Sequence, residues 1–277
     1  MPTIDVHCHA FPDDVAPKAV TAISDAAPAG FSPAGDGTIA GLKDSMARNG
    51  IDISVVLPVA TKPTQVATIN RWAAEMHDPA AGVVFFGALH PAGAEWESAI
   101  EDIVTTGLPG VKMHAEFQQF RIDSPEMLPV YRAIADAGLV LLLHMGDELF
   151  APCESRATPP MLARVLDAVY GLRVIAAHGG GFRAWNEFID ALAGHPRVWI
   201  DLAYLPGYID AETFTRLLDA HGVTRVLLGS DYPWMAQETL REFVRAANLD
   251  PPVYDAVMGG NAAALLNLEP DTTEEKQ

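Results

Sequence analysis

Eight short apolar runs, helical periodicity between them, and polar residues gathered where the runs end predict an α/β fold, a single-domain (β/α)8 TIM barrel. The runs are Thr3 to Val6, Ile53 to Val59, Val83 to Leu89, Gly110 to Met113, Leu139 to Leu143, Arg173 to Ala177, Arg197 to Leu202 and Arg225 to Leu228. They are rich in Val, Ile and Leu and lack strict polar alternation, as parallel strands covered on both faces do. An open doubly wound sheet is the rival, but no Gly-x-Gly-x-x-Gly follows the first run and no Gly-x-x-x-x-Gly-Lys-Ser/Thr occurs anywhere.

The helical segments follow in order. Lys62 to Met76 and Glu95 to Thr105 lie between the second, third and fourth strands. Ser124-Pro125-Glu126 then opens a helix with a cap and a first-turn proline, Val130, Tyr131, Ile134 and Ala135 form its apolar stripe, and Gly138 closes it. Pro159-Pro160 opens the next, with Leu162, Val165, Leu166 and Val169 on one face and Gly171 after it. Trp185 to Leu192, Ala211 to Ala220, Gln237 to Ala247 and Asp255 to Leu266 complete the alternation. Ala26 to Gly37 reads as a long loop. The barrel is expected over residues 1–268, and residues 269–277 as a disordered acidic tail.

The 277 residues are 49% hydrophobic, enough for a sizeable core. A net charge of −18 argues against nucleic acid or an anionic membrane as partner. No apolar run has the length of a membrane helix and no signal-like segment precedes the first strand, which predicts a cytoplasmic location. Two cysteines, Cys8 and Cys153, make no disulfide framework, and Cys8 reads as a small core residue.

In a barrel the carboxyl ends of all strands meet at one mouth, where active sites are built. The first strand ends in His7 and His9, the fourth in Lys112 and His114, the fifth in His144, the sixth in His178 and the eighth in Asp231. The i, i+2 spacing puts His7 and His9 on one strand face and Cys8 on the other. Alone, His-x-His suits a metal or two hydrogen-bonded imidazoles. Four further strand ends with imidazoles and a carboxylate favour the metal, since these groups suit Zn²⁺.

The stretches "DVHCHAFP", "LLLHMGD", "AAHGGGF" and "LLGSDYPW" resemble the strand-end motifs of the amidohydrolase superfamily, within it the amidohydrolase-related family that includes aminocarboxymuconate-semialdehyde decarboxylase. The resemblance runs from Ile4 to about Leu266. It implies His7, His9, His144 and Asp231 as ligands of one divalent ion, zinc first and manganese second, with Asp231 and His178 as catalytic proton carriers. Decarboxylase members tend to carry His-Pro where this chain has His144-Met145, and "GVKMHAEFQQF" resembles a branch of metal-dependent hydrolases. Hydrolysis of a lactone, amide or similar carbonyl substrate is therefore the first expectation. Decarboxylation is the alternative, and a non-catalytic metal-binding barrel is a third.

Lys112 has three readings: an ammonium that holds a substrate anion, a carbamate that bridges a second metal, or a structural lysine. His114, Arg156, Arg183 and Trp234 are candidates for substrate binding; a core histidine, surface ion pairs and aromatic packing are their plainer readings. His90 is a further candidate for the mouth, whereas His77, His195 and His221 near helix ends read as carbonyl caps. Gly179-Gly180-Gly181 lacks the Lys-Ser/Thr of a phosphate loop and reads as room for close backbone approach. A small molecule is the expected partner, and the family resemblance makes a homodimer an expectation too.

Overall fold

The structure, a computed structural model, describes residues 1–149 and 154–268. The expected acidic tail and Cys153 lie outside the described residues. Parallel strands alternate with helices through the chain: β1 (Ile4–Cys8), β2 (Ile53–Val56), β3 (Val83–Phe85), β4 (Gly87–Ala88), β5 (Gly110–Met113), β6 (Val140–Leu143), β7 (Arg173–Ala176), β8 (Val198–Asp201) and β9 (Val226–Leu227). One sheet runs β1-β2-β3 and the other β4 to β9 in sequence order. β3 and β4 are one expected strand interrupted at Phe86. The ring closes where Val6 N–H donates to Leu228 O (2.9 Å), Asp231 N–H to His7 O (2.7 Å) and Cys8 bridges Tyr232.

Strand parity sorts the core. Val55, Leu57, Val84, Phe86, Val140, Leu142, Ile175 and Leu227 form an interior cluster with Ile4 and Val6, while Val56, Phe85, Val111, Leu141, Leu143 and Val174 pack outward with the helices. The expected helix Asp255 to Leu266 is divided into Pro251–Asp255, a π-type stretch Ala256–Gly260 and Asn261–Leu266. Its last part sends Ala262, Ala263, Leu265 and Leu266 into the interior cluster. The apolar lower barrel leaves its polar residues at the mouth.

Three helices lacked a strong signal in the chain. Ala16–Ala26 buries only Ala16, and Ala115–Gln118 is a single turn, so neither offers an apolar stripe to read. Ile39–Asn49 is bounded by a Thr38 side chain that accepts Gly41 N–H and by Gly50 at φ +57°. The helix-end histidines differ from expectation: His77, His195 and His221 accept main-chain N–H groups at Nδ1, from Phe85, Arg197 and Gly194, instead of capping carbonyls. Among the described residues no helix is long and apolar enough to cross a membrane.

Candidate metal centre

Simple alternation along β1 would set His7 on the face opposite Val6, away from the interior. A register shift between Asp5 and Cys8 changes that: Val6 joins the interior cluster and His7 still reaches Asp201 and Lys112 across the barrel. A second device acts after β7. Ala177 belongs to the interior cluster, so its neighbour His178 would point outward, but a left-handed φ of +60° turns it toward the mouth. Asp231 is also left-handed, at φ +68°. Two non-glycine residues in that sparse region beside one cluster are typical of a functional site.

The anchors decide which histidine nitrogen is open. His7 Nδ1 meets Asp201 Oδ2 at 2.8 Å, His9 Nδ1 meets Leu57 O at 2.8 Å, and His178 Nδ1 meets Ala203 O at 3.1 Å. Carbonyls only accept, so the Nδ1 atoms of His9 and His178 carry the proton, as His7 Nδ1 does toward its carboxylate. All three Nε2 atoms therefore present lone pairs. His9 Nε2 and His7 Nε2 lie 3.0 and 3.4 Å from Asp231 Oδ1, and His178 Nε2 lies 3.0 Å from His144 Nδ1. His144 Nε2 is 3.2 Å from Asp147 O, which places its proton there and opens Nδ1.

Lone pairs and a carboxylate facing one another at about 3 Å repel unless a cation lies among them. Lys112 Nζ, 3.3 Å from His7 Nε2, supplies one. The remaining donors are nitrogen and oxygen, a set that fits zinc or a similar divalent ion. His7, His178 and Asp231 each offer a donor atom within 4.8 Å of the others, and so do His114, His144 and Glu148. The structure thus groups His178 with His7 and Asp231, and joins His144 to them through the His178 contact.

Burial, then the Lys112 charge, holds the His7 imidazole well below its ordinary pKa. Burial, then neighbouring His114, does the same to His144. Burial would raise Asp231, and the His7 and His9 rings would lower it only if protonated at Nε2; with lone pairs there instead, a cation takes that part. Burial brings Lys112 down to about 8, opposed by Asp231, Asp201 and Glu148.

Other expected residues lie further out. His114 is buried and stacked between Phe117 and His144, both at 4.0 Å. Trp234 packs near His9, Phe11 and Phe31. Arg183 is exposed, its guanidinium 5.0 Å from the Phe182 ring centre. Arg156 is half-buried and uses its backbone N–H on Glu116. His90 Nδ1 accepts Ala92 N–H.

Three carboxylates were missed in the chain. Asp201 holds the His7 ring and also accepts the backbone N–H groups of His178 (2.8 Å) and Ala203 (3.1 Å). Its place at the end of an apolar strand was the available signal. Asp5 accepts Ser230 N–H (2.9 Å), Ser230 Oγ–H (2.6 Å) and Gln237 Nε2–H (2.8 Å), pinning the chain just before Asp231. Glu148, in the loop after β6, had no signal. Gly229 makes room for the anchor: a Cβ there would lie 2.9 Å from Asp201 Cβ and 3.1 Å from His7 Cβ.

The sequence profile of the amidohydrolase family matches residues 4–268. The chain belongs to that family. Amidohydrolases are metal-dependent enzymes, and this one carries His, Asp and Glu groups at its mouth that could bind an ion. Solved structures similar to this amidohydrolase include an uncharacterised TIM-barrel protein from Bordetella bronchiseptica, at 18% identity and TM-score 0.78 over 97% of this chain and 99% of that one. Another is 5-carboxyvanillate decarboxylase from Sphingomonas paucimobilis, at 17% identity and TM-score 0.72 over 97% and 99%. A third, from Pseudomonas putida and provisionally named 2-pyrone-4,6-dicarboxylic acid hydrolase, has 17% identity and TM-score 0.70 over 97% and 98%. At such identities these likenesses show the barrel alone.

Proposed function

We propose that this amidohydrolase hydrolyses a small carbonyl substrate, a lactone or amide, with one divalent ion, zinc first, held by His7, His9, His144 and Asp231. The observation that carries the reading is the pinning of the outer nitrogens of His7 and His9 while their inner nitrogens meet Asp231 Oδ1 at 3.4 and 3.0 Å. When bound, such an ion polarises a substrate oxygen and lowers the pKa of water towards about 7. Asp231 takes the proton of the attacking water. His178 Nε2, open because Nδ1 is committed to Ala203 O, takes that proton over from Asp231 and delivers it to the leaving group.

Lys112 acts as an ammonium that holds a substrate anion, supported by the three carboxylates that oppose its loss of charge. Trp234, Phe11, Phe31 and Phe182 supply flat apolar walls for a planar substrate. Arg183 beside Phe182 is placed for an outer anionic group. Decarboxylation is the second reading, favoured by a buried cation at the centre and by the fold shared with decarboxylases.

Metal-loaded protein assayed on pyrone-type lactones, amides and aromatic carboxylic acids tests both. Acid release with consumption of water supports hydrolysis; CO₂ release without it overturns hydrolysis for the second reading. His178→Asn is expected to keep the metal and lose roughly 100-fold in rate. A metal-to-protein ratio near one, measured with bicarbonate present, supports the ammonium form of Lys112 over a bridging carbamate.

A further inference from the structure

We infer that Glu148 is a positioning residue: its carboxylate, shared by the stacked rings of His114 and His144, holds the proton of His144 on Nε2 and so keeps Nδ1 open toward His178. The inference rests on the metal reading above and deepens it. Glu148 Oε2 lies 3.1 Å from His114 Nε2 and 3.5 Å from His144 Nε2. His114 Nδ1 accepts Phe117 N–H, which leaves its proton on Nε2, directed at the carboxylate. The Asp147 carbonyl reinforces the same tautomer of His144.

That tautomer matters because His178 Nε2 is a lone pair 3.0 Å from His144 Nδ1. A proton moved to Nδ1 would make a good hydrogen bond to His178 and close His144 Nδ1 to a metal. Glu148 opposes that outcome, as Asp201 does for His7. The loop that carries it is built for the purpose. Asp147 N–H donates to Phe182 O (3.0 Å), Phe182 N–H to Met145 O (2.9 Å) and Gly146 N–H to Ala157 O (2.8 Å). Gly146 has φ +87°, and a Cβ there would meet Phe182 N at 2.2 Å, so this close pairing requires glycine. It ties the Glu148 loop to the segment that follows His178.

A second ion between His114, His144 and Glu148 is the competing use of these groups. The rings are stacked at 4.0 Å with planes only 12° apart, and both Nε2 atoms lie against the same Glu148 oxygen. Two N–H donors on one carboxylate satisfy that geometry, whereas lone pairs converging at about 2.0 to 2.1 Å on one ion do not.

Two measurements on Glu148→Gln test the proposal. A glutamine amide can donate to His144 Nε2 and so favours the other tautomer. In metal-free protein with ¹⁵N-labelled histidine, wild type is expected to show His144 protonated on Nε2, and the variant to shift toward Nδ1. Co²⁺ affinity should fall roughly 10- to 100-fold, with an altered visible spectrum of the bound Co²⁺. His114→Gln, a milder change, is expected to lose less, and serves if Glu148→Gln does not fold. An Nδ1-protonated His144 in wild type, or unchanged Co²⁺ affinity and spectrum in the variants, overturns the inference. So does a fall from two bound Co²⁺ to one with the remaining affinity intact. Failure of wild type to bind Co²⁺ overturns the metal reading instead, and the tautomer measurement still judges Glu148.

Discussion

Three histidines at the barrel mouth and three at the helix ends use the same ring in opposite ways. His7, His9 and His178 donate from Nδ1 to Asp201, Leu57 O and Ala203 O, and turn a lone pair inward. His77, His195 and His221 accept backbone N–H groups at Nδ1, at 3.0 to 3.3 Å, and stitch helix ends to neighbouring strands and loops. The residue type is equal in both regions. What separates a ligand from a brace is the partner of the other nitrogen, because it sets which atom carries the proton and where the free lone pair points.

The largest test of this contrast lies at the mouth. Asp231→Asn is expected to lower turnover roughly 1,000-fold while metal is partly retained, and His7→Ala to lower metal content itself, both read by assay and elemental analysis. Full activity with full metal in either variant would falsify the assignment of the centre. Next in size is Asp201→Asn, which loosens His7 without touching its open nitrogen. The asparagine oxygen still accepts the His178 and Ala203 N–H groups while its NH₂ faces the proton on His7 Nδ1, so metal affinity should drop by about 10- to 100-fold with little change in denaturant unfolding beyond that one lost hydrogen bond. Unaltered metal affinity there would break the link between anchor and ligand.

At the helix ends the expected effects concern stability alone. Burial brings His221 down to about 4 from its ordinary 6.5. Between those values the unfolded chain binds the proton more readily, so stability falls as pH drops from 6.5 toward 4, by about 3 kcal/mol over the window. His221→Gln should remove that part of the acid sensitivity and leave metal affinity unchanged. The smallest effect is expected for the partly exposed His195: His195→Gln should shift Tm by no more than about 2 °C and leave metal content as it was. A loss of metal in either variant would erase the distinction between the two regions.

Much of the centre was legible in the chain, for a geometric reason. Parallel strands deliver their carboxyl ends to one mouth, so His7, His9, Lys112, His114, His144, His178 and Asp231 could be grouped before any distance was known. The boundaries of most helices followed from prolines, glycines and apolar stripes. Ala115–Gln118 escaped because one turn carries no period, and the helix after Asp250 was divided by a π-type stretch that leaves the apolar pattern intact.

The amino-acid sequence by itself determined the barrel and the inventory of donors, since strand period and strand order act through local spacing. Only the tertiary structure decided how those donors are aimed. The register shift in β1, the left-handed turn at His178, the Asp201 carboxylate 194 residues from His7 and the Glu148 carboxylate beneath His144 each act across separate elements. Protons settle on one imidazole nitrogen or the other according to neighbours in space, and neighbours in space are what a linear pattern leaves open.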